Sequence, residues 1–476
     1  MIRIDPDQTE FANFYLPFSG GLKRSNRWVK LAAMMPWDEV ERCYAESLSG
    51  SGMGAPAKSG RLAYGALLVK ERLGLTDEET AEQVQENPYL QYFLGLEEFR
   101  DEPLFDPSMM VHFRSRFTQE HHRRINERIV ALATAGNASE SQSYPKTEDK
   151  KDGPPPSGKL LVDATCTPAD VKYPTDLGLL NEAREKTEAV VDAFHAVLLR
   201  GEPKRKKERT YRRKARKQFL AVAKSKKPGA RKVRKAIGQQ LGYLRRNLGH
   251  IDRALDERPE LLSSLGGYRY KCLLVVRELY RQQSSMRAQR SRSVADRIVS
   301  ISQPHVRPIV RGKAGRKVEF GAKLSISHQS QGYVTVDTLS WDAYNEGGEL
   351  PEQIERYKTR FGHYPASAHA DGIYRTRANR PYCKERGIRL TGKPLGRPAK
   401  PSADNAQELK AQRRQAREDE IARIPVEGKF GNAKRKGTLE RIMAKLARTS
   451  ESVIHIGFIV LNLDKALPSE LARSVL

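Results

Sequence analysis

The segment "KLLVDATCTPADV" (residues 159–171) places a carboxylate directly after an apolar run. Residues 160–162 are Leu, Leu and Val, Asp163 follows them, and small residues come next. A short apolar run bounded in this way predicts a buried strand with Asp163 at its carboxyl end. Sites in open α/β sheets form outside the carboxyl ends of strands. The segment therefore predicts a sheet and also the edge at which a site would lie.

Further along the chain, strand and helix patterns alternate. Residues 317–341 alternate polar and apolar residues and break at "QSQG", which predicts a hairpin. "YPASAHADGIY" (364–374) predicts a short buried strand that ends at Asp371. Helices are predicted at 349–362 and 378–387, and a last strand at 388–392. The order is that of an α/β fold in which two strands, if they are neighbours, bring Asp163 and Asp371 to one edge.

The C-terminal part is predicted to be helical. A polar helical arm (403–423) leads into "ARIPVEGKFGNAKRKG" (422–437), and two packed helices follow at 438–447 and 452–467. In the second of these segments, seven residues turn about 700°, so Glu427 and Lys434 share a helix face. Pro425 fits best in a first helical turn, which would place Arg423 at or before the helix start.

The N-terminal 135 residues also read as helices. "GRLAYGALLVKERLGL" (60–75) has apolar residues at helical spacing. Thr76 and Glu79 predict a capping box at the start of the next helix, and Ser108 is a candidate cap for a third. Short helices with tight turns are compatible with a helix-turn-helix DNA-binding module. Residues 136–157, rich in Ser, Gly, Pro and charge, are predicted to be a linker.

Charge sets the class of partner. The chain has 85 Lys and Arg against 58 Asp and Glu, a net charge of +27. Residues 204–235, inside a long helical stretch, hold 17 Lys or Arg and one acid, Glu208. A solvated helix normally mixes signs, so this basic segment predicts contact with a nucleic-acid backbone. Its candidate DNA-binding residues are Lys204, Arg205, Arg212, Arg213, Lys214, Arg216, Lys217, Arg231 and Lys232.

Several classes of protein are disfavoured. The chain has no apolar run of about 18 residues, as a membrane helix needs, and its N-terminus does not read as a secretory signal. Four widely spaced cysteines without a CxxC pair predict core residues in a reducing cytoplasm rather than a zinc site or disulfides. No phosphate loop with GK[ST] is present, which argues against an NTPase.

Asp163, Asp371 and Glu427 would form an oxygen-only ligand set, which suits Mg²⁺ or Mn²⁺ rather than zinc. Two such ions can activate a nucleophilic water or 3′-hydroxyl in phosphodiester displacement. Each acid also has an ordinary interpretation as a turn, cap or surface residue. Asp170, Asp176 and Asp342 are equally placed by pattern alone, so spacing does not select the three.

Three segments together resemble the DDE transposases of bacterial insertion sequences. These are "LVDAT", "SAHADGIY" and "ARIPVEGKFGNAKR". The last is similar to the group whose signature is Arg, three residues, Glu, six residues, Lys, matched here by Arg423, Glu427 and Lys434. That signature begins with a Tyr three residues before the Arg; this chain has Glu420 there.

The resemblance implies an RNase H-like catalytic core, a mixed sheet flanked by helices, with Asp163 on the first strand, Asp371 on the fourth and Glu427 on a later helix. It implies that Asp163, Asp371 and Glu427 bind two Mg²⁺ ions, or Mn²⁺, and that Arg423, Lys434 and Lys429 contact DNA. The expected domains are a helical DNA-binding domain (1–135), the linker (136–157), the first strand of the core (158–179), a basic helical insertion (180–300) and the rest of the core with C-terminal helices (301–476).

The expected function is metal-dependent cleavage and strand transfer at the ends of a mobile DNA element. The expected partners are double-stranded DNA, as terminal inverted repeats and target, and a second copy of the chain on DNA; no membrane is expected, and the location is the bacterial cytoplasm at the nucleoid. Trp341 could stack on a splayed base, although a core tryptophan is the simpler interpretation. An RNase H-like nuclease without strand transfer and an inactive transposase-derived DNA-binding protein are the alternatives.

Overall fold

The computed structural model describes residues 21–48, 56–135, 154–310, 318–329, 332–392, 405–435 and 437–473. Most of the predicted linker lies outside these ranges. The chain divides into two units. One comprises residues 1–168, 323–340 and 344–476, and the other comprises residues 169–322 and 341–343.

The N-terminal part of the first unit is helical, as predicted. Thr76 and Glu79 form the predicted capping box, because each side chain bonds the other's backbone N–H. Ser108 precedes a helix but does not cap it, since its hydroxyl donates to Asp106 instead. The helices are α1 (Arg27–Met34), α2 (Trp37–Glu46), α3 (Gly60–Leu73), α4 (Asp77–Glu86), α5 (Pro88–Phe93), α6 (Met109–Arg116) and α7 (Gln119–Ala135).

After β1 (Lys159–Pro168), the second unit contains the predicted run of helices. Leu244, Ile251, Val276 and Leu279 are fully buried where three of these helices pack together. Apolar side chains at helical spacing on each helix account for this core. The four helices are α8 (Asp176–Gly201), α9 (Arg212–Ala223), α10 (Ala230–Glu257) and α11 (Gly267–Ala288).

Within the described ranges, six strands form one mixed sheet in the order β2-β3-β1-β5-β6, with β4 paired to β3. β1, β5 and β6 are parallel, and β3 is antiparallel to both β2 and β4. The predicted hairpin is thus confirmed, as is an α/β fold. The strands after β1 are β2 (Arg307–Val310), β3 (Val318–Gln329), β4 (Val334–Ser340), β5 (Ser367–His369) and β6 (Arg389–Leu390).

Two strand predictions were wrong in detail. β2 was not predicted, so the strand before Asp371 is the fifth of the chain rather than the fourth. β1 does not end at Asp163 but continues to Pro168. Thr165, Cys166 and Thr167 are buried, and β-branched threonines suit a strand packed on its faces.

Four helices complete the first unit: α12 (Leu350–Phe361), α13 (Asn379–Glu385), α14 (Ala406–Arg435) and α15 (Ala447–Arg473). The polar arm and the signature segment form one continuous helix, α14, with Pro425 in its interior. A first-turn position for Pro425 was therefore wrong. A packed helix at 438–447 was also wrong: apart from a single turn at Thr438–Glu440, this segment is held extended, and the Ile442 N–H donates to the Pro168 carbonyl.

The last helix, α15, packs into the core of the N-terminal helices rather than only against the sheet. Ile456, Ile459 and Leu463 are buried in the same cluster as residues of α1 to α7. Among the described residues, no helix is both long and apolar enough to cross a bilayer.

Candidate active site

Asp163 and Asp371 lie on neighbouring parallel strands. β1 and β5 pair with each other, and Leu161 of β1 lies opposite His369 of β5. Asp163 and Asp371 each follow two residues further along. Asp163 is half-buried and accepts the Ala164 N–H at 2.8 Å. Asp371 is exposed, and its carboxylate accepts the Gly372 N–H at 2.6 Å. The sheet thus brings the two predicted aspartates together, although Asp163 is in mid-strand.

Glu427, the third predicted carboxylate, is an exposed residue of α14. Burial raises the pKa of the Asp163 carboxyl, and the charges of Asp371 and Glu427 raise it further. The Ala164 N–H and the Arg423 guanidinium oppose this by lowering that pKa. The charges of two acids and one cation therefore act on Asp163.

Arg423 lies at the site, contrary to the prediction that Pro425 displaces it. Because α14 is continuous, Arg423 and Glu427 are one helical turn apart, about 40° around the axis. The Arg423 Nη1 atom is 3.8 Å from the Asp371 Oδ1 atom. Arg423 is thus placed to offset the negative charge of the carboxylates.

Lys434 is on the same helix face, and its ammonium points to β1. Its Nζ atom donates to the Thr165 hydroxyl at 3.2 Å and to the Cys166 carbonyl at 2.8 Å. These two bonds attach the end of α14 to the strand that carries Asp163. Contact of Lys434 with DNA stays a prediction, and in the structure this side chain positions the helix.

The other predicted DNA-binding residues differ in setting. Lys429 is half-buried, and burial followed by the charge of Lys465 lowers its pKa. In the basic segment, Arg205, Lys207 and Arg212 form salt bridges to acids. The remaining 14 of its 17 Lys or Arg form none with any described residue. The exposed charge of this segment is therefore largely uncompensated.

Trp341 is half-buried in the second unit. Its ring packs edge-on against His305, with the ring centroids 4.4 Å apart, beside a small apolar cluster. This surrounding matches the simpler interpretation of a core tryptophan, and base stacking stays a prediction.

Three arginines directly after Asp371 were missed. Arg375 donates to the Leu390 and Gly392 carbonyls at 3.0 Å each, which holds the chain after β6. Arg377 and Arg380 are exposed and pair with no acid among the described residues. The signal was available, since "YRTRANR" has three arginines within nine residues of a candidate carboxylate.

The carboxylates fit a hard cation by their chemistry. Over the described ranges, no three or more His, Cys, Asp or Glu side chains form a group that could hold a metal ion. Mg²⁺ commonly binds one or two carboxylates and completes its shell with waters and substrate phosphates, without an all-protein cage. Asp163, Asp371 and Glu427 offer that kind of donor set.

Comparison with known proteins identifies two regions. Residues 368–464 match the family model of the transposase DDE domain, and residues 18–116 match that of a transposase domain (DUF772). An uncharacterized protein, ORF8 in the nfe locus of Rhizobium meliloti, is 28% identical over 155 residues, which cover 33% of this chain and 68% of that protein. No solved structure matches the chain.

The DDE match contains Asp371, Arg423, Glu427 and Lys434, and the helical match lies ahead of it as expected. These matches show that residues 368–464 are similar to transposase DDE domains and that residues 18–116 are similar to a second transposase domain.

Proposed function

We propose that this protein is a DDE transposase of an insertion sequence, which cuts DNA at the ends of a mobile element and joins those ends to a target. The observation that carries the proposal is the placement of Asp163 and Asp371 on two neighbouring parallel strands, with Arg423, from the helix that carries Glu427, 3.8 Å from Asp371. The charges of Asp371, Glu427 and Arg423 all act on the half-buried Asp163, which is typical of a site arranged for chemistry rather than for stability.

We infer that the sheet is an RNase H-like core. The parallel strands β1, β5 and β6 next to the antiparallel β3 and β4 support this inference. A carboxylate on the first strand, another after β5 and a third on a later helix agree with what the family resemblance implies. β2 is then an addition at the edge of β3.

Asp163, Asp371 and Glu427 are the residues that would hold two Mg²⁺ ions, or Mn²⁺. When bound, such ions supply positive charge that stabilises the attacking oxygen and the leaving oxygen. Arg423 can bind a phosphate oxygen of the strand in the site, because its guanidinium is near Asp371 without a tight ion pair. Lys434 keeps α14 on β1, and so keeps Glu427 near Asp163.

DNA is the partner that the charge favours. The unpaired cations of the basic segment would contact phosphates, and the N-terminal helices would bind the element's ends. Each neutralised phosphate adds about −0.9 to the slope of log affinity against log salt. A steep slope is therefore expected, and a flat salt response would contradict this role of the basic segment.

The test uses a labelled duplex that carries the terminal inverted repeats flanking the gene, with Mg²⁺ and a target plasmid. We expect cleavage at the repeat end and covalent joining to the plasmid, by a protein that is dimeric on DNA. Cleavage without joining would show a nuclease instead. Binding without cleavage would show an inactive DNA-binding protein.

A further inference from the structure

The solvent side of α14 carries an ordered set of exposed residues. At about 100° per residue, they fall within an arc of about 80°. All are exposed, and we call them the outer face of α14: Lys410, Arg413, Arg417, Ile421, Ile424 and Gly428. From Lys410 to Gly428 the helix rises about 27 Å, the length of about eight base pairs.

The first half of the outer face is cationic and uncompensated. Lys410, Arg413 and Arg417 form no salt bridge with any described residue, whereas the neighbouring Arg414 pairs with Glu418 at 3.0 Å. Within the arc, α14 has no acidic residue. A helix that is merely solvated normally mixes charges of both signs, so this half is suited to a polyanion.

The second half of the outer face consists of apolar and small residues. Ile421 and Ile424 are 55% and 59% exposed and lie one turn apart. A side chain added at Gly428 would meet no atom of the protein within 4 Å. Glycine weakens a helix relative to alanine, and internal packing does not require it here. Close approach of a molecule from outside the chain explains its presence.

We propose that the outer face of α14 lies along the DNA beside the scissile phosphate. This inference rests on the proposed function. Lys410, Arg413 and Arg417 contact consecutive phosphates of the duplex. Ile421 and Ile424 pack on sugars and base edges, where proteins often insert apolar side chains. At Gly428 the helix backbone comes close to the strand that enters the site at Glu427.

Charge selects DNA over a second copy of the chain as the occupant. A parallel two-fold pairing of outer faces would bring the same uncompensated cations together, and an antiparallel pairing would lay each cationic half on the partner's apolar half, where it meets no acid. DNA instead offers negative charge along the whole length of the face. The face also ends next to Glu427, about 60° around the helix from Ile424.

Photocrosslinking tests the occupant directly. All four native cysteines are buried, so Arg417→Cys and Ile424→Cys can each be labelled with a photoactivatable maleimide. The control is Glu385→Cys on α13, where the native side chain is 72% exposed. With the labelled repeat-end duplex, we expect DNA adducts at positions 417 and 424 and none at 385. Adducts between two protein chains, or no adduct at either position, would overturn the proposal.

Salt dependence tests the two halves separately. Replacing Lys410, Arg413 and Arg417 with Gln should make the log–log salt slope shallower by about 2 to 3, at about 0.9 per phosphate. The matched control replaces three exposed cations elsewhere, Lys172, Lys384 and Arg448. Equal slopes for the two triple variants would overturn the cationic contact.

The apolar half makes a different prediction. The double variant Ile421→Ala/Ile424→Ala should bind DNA more weakly at every salt concentration and keep the wild-type slope. Wild-type affinity for this variant would overturn the apolar contact. If the protein forms the DNA adducts but does not cleave with Mg²⁺, the proposed function fails while this interface stands.

Discussion

At the scale of single residues, Asp163 is the most informative side chain. It is half-buried beside two other acids, and burial, Asp371 and Glu427 all raise the pKa of its carboxyl. If stability alone determined this position, we would expect either a cation closer to the carboxylate or an apolar side chain in its place. Such local conflict is expected where function rather than folding determines the residue.

We predict that Asp163→Asn abolishes cleavage without weakening the fold. Loss of a candidate metal ligand should lower the cleavage rate at least about a hundredfold. The free energy of unfolding should be unchanged or higher in the absence of metal, because a repelling charge is removed. Asp342→Asn, at an exposed aspartate of similar sequence context, is the control. An active Asp163→Asn protein would contradict the site.

Lys434 gives a second prediction, because its contacts are structural. Lys434→Met keeps most of the side-chain length but loses the bonds to the Thr165 hydroxyl and the Cys166 carbonyl. We expect urea denaturation to show a loss of about 1–3 kcal/mol. Lys410→Met, at an exposed position of the same helix, should stay within about 0.5 kcal/mol. Equal free energies of unfolding for the two variants would contradict the positioning role of Lys434.

At the scale of elements, α14 shows why sequence rules fail at a proline. Pro425 removes one backbone donor and normally starts or breaks a helix. Tertiary contacts on both sides of this position hold α14 as one continuous helix. Arg389 makes two bonds to Asp419 at 2.7 and 2.8 Å, and Lys434 is tied to β1. Neither partner is near in sequence, so a local pattern could not reveal them.

Other elements were predictable because their causes are local. The capping box at Thr76, the hairpin of β3 and β4, and α12 follow from short-range patterns and are observed. The segment at 438–447 was not predictable. Glu71, on the distant helix α3, accepts hydrogen bonds from the Thr438 N–H and hydroxyl. This contact helps to prevent the segment from forming a helix.

The variant Pro425→Ala tests this account of α14. Alanine restores the missing donor and removes the proline ring from the helix interior. We expect the free energy of unfolding to rise by about 1–3 kcal/mol in urea denaturation. A loss of stability would instead show that the helix depends on proline at this position.

At the scale of the whole molecule, the N-terminal helices α1 to α7 share a core with the last helix, α15, in the first unit. His122 of α7 stacks on His455 of α15 with ring centroids 5.4 Å apart, and it also bonds to Ser452. Asn462 of α15 bonds to Asn126 of α7 and to the Val334 carbonyl of β4. The contacts between α7 and α15 join residues more than 300 positions apart, so no sequence pattern predicts them.

The two buried histidines predict a loss of stability in acid. Burial lowers the pKa of His455 to about 4 and that of His122 well below its usual value. An unfolded histidine has a pKa of about 6.5, so the unfolded chain binds more protons between pH 6.5 and 4. The contribution of these histidines to the free energy of unfolding is therefore fully present above about pH 6.5. It falls as the pH drops, by at most about 1.4 kcal/mol per pH unit for each histidine.

Urea denaturation of His455→Phe at pH 7 and pH 5 measures this effect. We expect a smaller difference between the two pH values than in the wild type, because one buried titrating group is gone. The matched variant is His112→Gln, an exposed histidine outside this cluster. An unchanged pH dependence in His455→Phe would contradict the role of the pair.

The most direct measurement is cleavage and strand transfer by Glu427→Gln. The control is Glu440→Gln, the same change at an exposed glutamate outside the site. With Mg²⁺ and the repeat-end duplex, we predict that Glu427→Gln binds DNA but neither cuts nor joins it. Glu440→Gln should cut and join the DNA as the wild type does. Wild-type cleavage by Glu427→Gln would contradict the assignment of the three carboxylates as the active site.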